Sequence, residues 1–126
     1  MADRSQICAA CDRYVSAVDA ADVEAILALY ADDAVVEDPV GSEPKVGKEA
    51  LRAFYADSLG PAISTRRIGP ITVAGDHAAF QFRVDVDLGE TKIKLTTTDV
   101  MEFDTAGRVV EMVAYPDGEA DPDAAL

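Results

Sequence analysis

The chain has 126 residues, 49% of them hydrophobic and 28% charged, enough for one globular domain with a single core and too few for a second catalytic domain. Its 24 Asp and Glu against 11 Lys and Arg give a formal net charge of −13, a field that repels nucleic acid and anionic membrane surfaces and leaves a small neutral or cationic molecule as the expected ligand. The 2 cysteines are too few for a secreted disulfide framework, and neither a signal peptide nor an apolar run of roughly 18–20 residues is visible, so a cytoplasmic protein is expected.

From Ser5 to about Ala20, Ile7, Cys11, Tyr14 and Val18 recur at helical spacing and predict an amphipathic helix with Tyr14 on its buried side. Asp22 is a good N-cap for a second helix in which Val23, Ile26, Leu27 and Tyr30 share a face, ending near Ala31-Asp32-Asp33. A short strand from Ala34 to Asp38 is stopped by Pro39 and Gly41, and Gly47-Lys48-Glu49 opens a third helix with Leu51, Phe54, Tyr55 and Leu59 inward. Gly60-Pro61 closes it. Beyond this point the period changes to two, and turn residues separate strands at about 63–68, 71–74, 78–88, 91–104 and 108–115. Phe80, Phe82, Val84, Val86 and Leu88 point one way, and Gln81, Arg83, Asp85 and Asp87 the other. The expected fold is therefore α+β, a cone-shaped, curved antiparallel sheet wrapped around three N-terminal helices, with residues 1–115 as one domain and 116–126 as an acidic, mobile tail.

One residue breaks the pattern. In the strand from Thr91 to Asp104, parity places Asp99 on the apolar face with Ile93, Leu95, Thr97, Met101 and Phe103, where no Lys, Arg or His accompanies it. An ionised carboxylate there costs several kcal/mol, so a raised pKa and a protonated, hydrogen-bond-donating side chain are expected. A register bulge that carries Asp99 to water is the plainer alternative. Asp38 differs. It lies where a strand opens into a loop, near apolar walls yet close enough to water to stay ionised, as a general base must, although Asp-Pro also suits an ordinary turn. Tyr14, Tyr30 and Tyr55 fall on the inward stripes of the three expected helices, where each hydroxyl needs a partner. Two donors, Tyr14 and neutral Asp99, with a separate base, Asp38, suit proton abstraction beside a carbonyl.

The runs Arg13-Tyr14, Val18-Asp19, Asp22-Val23-Glu24-Ala25-Ile26 and Leu29-Tyr30-Ala31-Asp32-Asp33-Ala34-Val35-Val36-Glu37-Asp38-Pro39-Val40-Gly41 resemble the N-terminal half of bacterial Δ5-3-ketosteroid isomerases. Gly47-Lys48-Glu49, Ala53-Phe54-Tyr55, Phe82-Arg83-Val84, Asp99-Val100-Met101-Glu102-Phe103-Asp104 and Gly107-Arg108-Val109 resemble the remainder, in order. The resemblance implies the nuclear transport factor 2-like (SnoaL-like) cone, a homodimer packed through its sheets, and a cofactor-independent steroid Delta-isomerase. Tyr14 and Asp99 would hold the oxyanion, Asp38 would carry the proton from C4 to C6 of a neutral Δ5-3-oxosteroid, and Tyr55, through it Tyr30, would tune Tyr14. Phe80, Phe82, Val84, Met101 and Met112 are candidate steroid contacts, or simply core. Val40 and Pro116 stand where the family often has aromatic residues, which implies a thinner wall around Asp38.

Other readings carry less. Cys8-Ala9-Ala10-Cys11 lies inside the first helix rather than between strand and helix as a redox pair requires, and two thiols with one histidine make no zinc site. His77 belongs to a turn. The same superfamily includes histidine-using dehydratases, epoxide hydrolases with an Asp-Arg-Asp set, polyketide cyclases and members that only bind a small hydrophobe; Arg83, turned from the phenylalanine face, disfavours the hydrolase reading.

Overall fold

A computed structural model describes residues 1–120; Asp121 to Leu126, most of the expected tail, lie outside the described residues. The chain forms α1 (Arg4–Asp19), α2 (Val23–Leu27), β1 (Tyr30–Glu37), β2 (Lys45–Val46), α3 (Lys48–Ser58), β3 (Ile63–Ala74), β4 (His77–Asp87), β5 (Lys92–Phe103) and β6 (Val109–Asp117). The strands make one open sheet in the order β2-β1-β6-β5-β4-β3, with α1 lying across β3 and β4 and α3 against β1 and β2. Among the described residues no helix is long and apolar enough to cross a membrane.

Local chemistry sets the helix starts. Asp3 and Gln6 form a reciprocal capping box at α1, and Asp22 accepts the amide of Ala25 at α2. Buried Ile7, Cys11, Tyr14 and Val18 mark the expected inward stripe of α1. α2 is much shorter than its periodicity predicts. The carbonyl of Leu29 accepts the amide of Val109 and Tyr30 pairs with Val109, so sheet pairing takes over the chain two residues past Leu27. The Lys48 ammonium donates to the carbonyl of Leu27, one of those left without a helical partner. Tyr30 is thus a strand residue, correcting its assignment to a helix.

β1 also runs parallel to β6, so the sheet is mixed rather than wholly antiparallel. The two strands expected at 63–68 and 71–74 are one strand whose register shifts between Ile68 and Thr72, where Gly69 takes φ 70°. β2, a two-residue strand paired to Val35 and Val36, has no signature in the pattern. His77 opens β4 instead of sitting in the turn, and β6 continues through Pro116 and Asp117, which pair with Thr97 and Thr96 rather than starting the tail. Leu88 lies beyond β4 and is 61% exposed, not part of the inward face.

Candidate active site

Between the helices and the inner sheet face lies a cavity of about 370 Å³, at the lower end of the size range of small-molecule sites. Tyr14 of α1, Asp38 after β1, Tyr55 of α3, Phe82 and Val84 of β4 and Asp99 of β5 all line it, and Thr97, Phe54, Leu59 and Pro116 complete much of the wall.

Asp99 is where strand parity puts it. It is 1% exposed, flanked in register by Phe80 and Ala114, and makes no ion pair among the described residues. Burial pushes its acid up to about 8, against a hydrogen bond from Thr97 that pulls it down and a nearby Asp38 that raises it further. The carboxyl is therefore predominantly protonated at neutral pH and able to donate. The hydrogen bond from Thr97 Oγ1 to Asp99 Oδ1 is 2.8 Å long.

The tyrosines form a chain. Tyr30 Oη lies 2.7 Å from Tyr55 Oη, which lies 3.0 Å from Tyr14 Oη. Each phenol has one proton, so with Tyr30 donating at the closed end Tyr55 donates to Tyr14, leaving Tyr14 its own proton for the cavity. Burial drives all three phenols well above their ordinary acidity range, and for Tyr14 the hydrogen bond from Tyr55 works the other way, favouring the phenolate. Tyr30 does not line the cavity; its hydroxyl is linked to it through the hydrogen bond to Tyr55.

Asp38 is partly buried, and its peptide bond to Pro39 is cis. Desolvation raises its pKa, and the charge of Lys45 counters that rise. Lys45 reaches this corner from β2, its ammonium 4.8 Å from the centre of the Phe54 ring. Asp38 and Asp99 are two carboxyls on one cavity, both pushed upward by desolvation: the deeper, Asp99, to about 8, while the shallower, Asp38, sits nearer water and a cation that counters its rise.

Phe80, Met101 and Met112 do not line the cavity. All three are packed in the core, at most 2% exposed, with Phe80 stacked at 5.9 Å behind Phe82. Parity gives a side chain's face but not its depth along a curved strand, and these three lie within the buried core rather than beside the cavity. Val40 is 45% exposed and outside the cavity wall, whereas Pro116 belongs to it. Sequence reasoning missed Lys45, which no pattern signals, and Thr97, which shares the parity of Asp99. Arg83 is on the outer face, donating to Thr96 Oγ1 at 3.2 Å, and among the described residues the cavity wall contains neither arginine nor histidine. No group of His, Cys, Asp and Glu there or elsewhere among them is disposed to hold a metal.

The buried acid has a consequence for stability. In the unfolded chain Asp99 ionises above its ordinary 3.8, whereas folded it stays protonated up to about 8, so its contribution is fully present below the lower value and is lost as pH rises through the upper one. The slope is up to about 1.4 kcal/mol per pH unit. Asp99→Asn removes that slope; urea unfolding of both proteins at pH 5 and pH 8 should show the variant gaining on the parent at the higher pH. Parallel pH dependences would mean that the parent's acid is ionised in the fold.

A twisted open sheet curled over helices, enclosing one apolar cavity with carboxyls and phenols at its polar end, defines a class, and a SnoaL-like domain indeed spans residues 11–112: the chain belongs to the SnoaL-like family. Among curated proteins it is 41% identical over 111 residues to the Steroid Delta-isomerase of Nocardioides simplex, covering 88% of this chain and 89% of that one. It is also 44% identical over 50 residues to the Epoxide hydrolase LasB of Streptomyces lasalocidi, a match covering 40% of this chain and 18% of that protein.

Proposed function

We propose that the protein is a cofactor-independent steroid Delta-isomerase. Asp38 removes the C4 proton of a Δ5-3-oxosteroid, the electrons move toward the C3 oxygen to form a dienolate, and the same carboxyl returns the proton at C6 to give the conjugated Δ4-3-oxosteroid. Tyr14 and protonated Asp99 donate to the dienolate oxygen, in a cavity too apolar for bulk water to compete. The observation that carries this reading is Asp99, buried without a cation on the wall that also holds Tyr14 and Asp38. The likeness to the Nocardioides enzyme over nearly the whole chain supports the reaction class.

Adding 5-androstene-3,17-dione to the purified protein should produce the ultraviolet absorbance of a conjugated enone. Steroid binding with no spectral change would reduce the protein to a binding module and overturn the proposal. Within the same reading the enzyme works in the cytoplasm, its Cys8 and Cys11 remaining thiols.

It acts as a homodimer joined through the outer sheet face. Ile68, Val100, Val113 and Tyr115 share that face on β3, β5 and β6. Sedimentation should give a dimer for the parent and a monomer for Tyr115→Arg; a monomeric parent would refute the assembly.

A further inference from the structure

We propose that Thr97 is a positioning residue for this reaction: its hydroxyl occupies Oδ1 of Asp99, so that the carboxyl's proton resides on Oδ2 and is presented to the cavity. The inference rests on the isomerase reading for its kinetic consequence, and on geometry alone for the arrangement of the acid.

Thr97 and Asp99 are two residues apart on β5 and project from the same face, 6% and 1% exposed. Their cross-strand neighbours offer neither of them another side-chain partner. Thr97 is flanked by Phe82 and Pro116, and Asp99 by Phe80 and Ala114. The two polar side chains in this apolar patch are thus left to each other, and they meet at 2.8 Å. A β-branched side chain in a strand has few χ1 options, so Oγ1 is held in place.

A neutral carboxyl has one proton and two oxygens, and nothing intrinsic decides which oxygen carries it. The hydroxyl does so when it donates to Oδ1, as the contact is oriented here, because a proton on that oxygen would then face the hydroxyl's own. Protonation then falls on Oδ2, which has no hydrogen-bond partner among the described residues and belongs to a side chain lining the cavity. The same donor also favours the ionised form and makes the acid a stronger donor to an arriving oxyanion. The other groups whose titration reaches Asp99 are Tyr14 and Cys11 of α1, Tyr55 of α3, and Tyr30 and Asp38 from β1 and its end. Among these the phenols and the thiol are neutral below about pH 8, since burial raises each of the phenols and takes Cys11 to about 12.

Thr97→Val keeps shape and burial and removes only the hydroxyl, and it should move two observables in opposite senses. At pH 7 kcat should fall roughly 3- to 10-fold with KM little changed, because the proton is no longer confined to Oδ2. The midpoint of Asp99, followed by carbon-13 NMR of the labelled resting protein, should rise by about one pH unit, and the alkaline limb of kcat with it. Thr97→Ser should restore both. A purely structural role would lower stability without moving the limb. An unchanged midpoint in Thr97→Val overturns the contact. A moved midpoint with unchanged kcat in an active isomerase overturns the positioning role. Absence of isomerase activity in the parent overturns the functional reading instead, while the NMR titration still decides whether Thr97 holds the acid.

Discussion

Asp38→Asn is expected to lower kcat by roughly 10²- to 10⁴-fold, the usual contribution of a positioned general base. The size follows from the cycle. In the proposed cycle one carboxylate both accepts the proton and gives it back, so an amide, which can do neither, would obstruct formation and collapse of the dienolate alike. Asn matches Asp in shape and the cavity wall is otherwise untouched, so binding of the steroid or of its Δ4 product should survive within a few-fold. The pair of measurements separates chemistry from binding. If kcat persisted in Asp38→Asn, another group would be the base, and the assignment of the shallow carboxyl would fall. In the parent, activity should decline on the acid side as Asp38 takes up its proton, at a pH above the ordinary carboxylate range because burial outweighs the opposing charge of Lys45. On the alkaline side it should decline as Asp99 ionises near pH 8.

The second large effect lies at the two donors on the same cavity wall. Tyr14→Phe and Asp99→Ala should each cost about 3 kcal/mol of transition-state stabilisation, roughly 10²-fold in kcat, because each removes a donor from an oxygen that becomes charged only as the reaction proceeds. Two features make the expectation specific. Tyr14→Phe also strands the hydroxyl of Tyr55, which loses its 3.0 Å partner while keeping Tyr30, so some loss of stability should accompany the loss of rate. The double variant should lose less than the sum of the singles, since in the proposed site both donors serve one oxyanion and the first loss already admits other solvation. Additive losses would place the two side chains on different atoms of the substrate. Rates unaffected by either change would mean that the buried acid is merely accommodated by the fold.

How far these assignments were legible beforehand depends on which physical signal each residue leaves. Asp99 was found by the two-residue period of a strand, a backbone property independent of the rest of the protein, and its burial bears that out. Tyr14 and Tyr55 were found by helical spacing, and both do face inward from helices. Tyr30 was read as helical for the same reason, but pairing with β6 outweighs the weak preference of a short apolar segment for helix. Phe80, Met101 and Met112 share a face with the cavity and not its depth. Lys45 approaches Phe54 and Asp38 only because a two-residue strand pairs with β1, and no local pattern encodes that pairing.

By itself the amino-acid order determined what neighbouring residues can settle among themselves: where helices begin, which strand residues turn inward, and that one carboxyl falls on the apolar parity of its strand. Only tertiary structure decided that β1 returns parallel to β6, that the hydroxyls of Tyr30, Tyr55 and Tyr14 form a chain, and that Asp38 and Asp99 meet across one cavity. The division has a physical origin. Periodicity and capping act over a few residues of backbone, whereas cavities and hydrogen-bonded chains are made between elements far apart in sequence, through the packing energy of the whole domain.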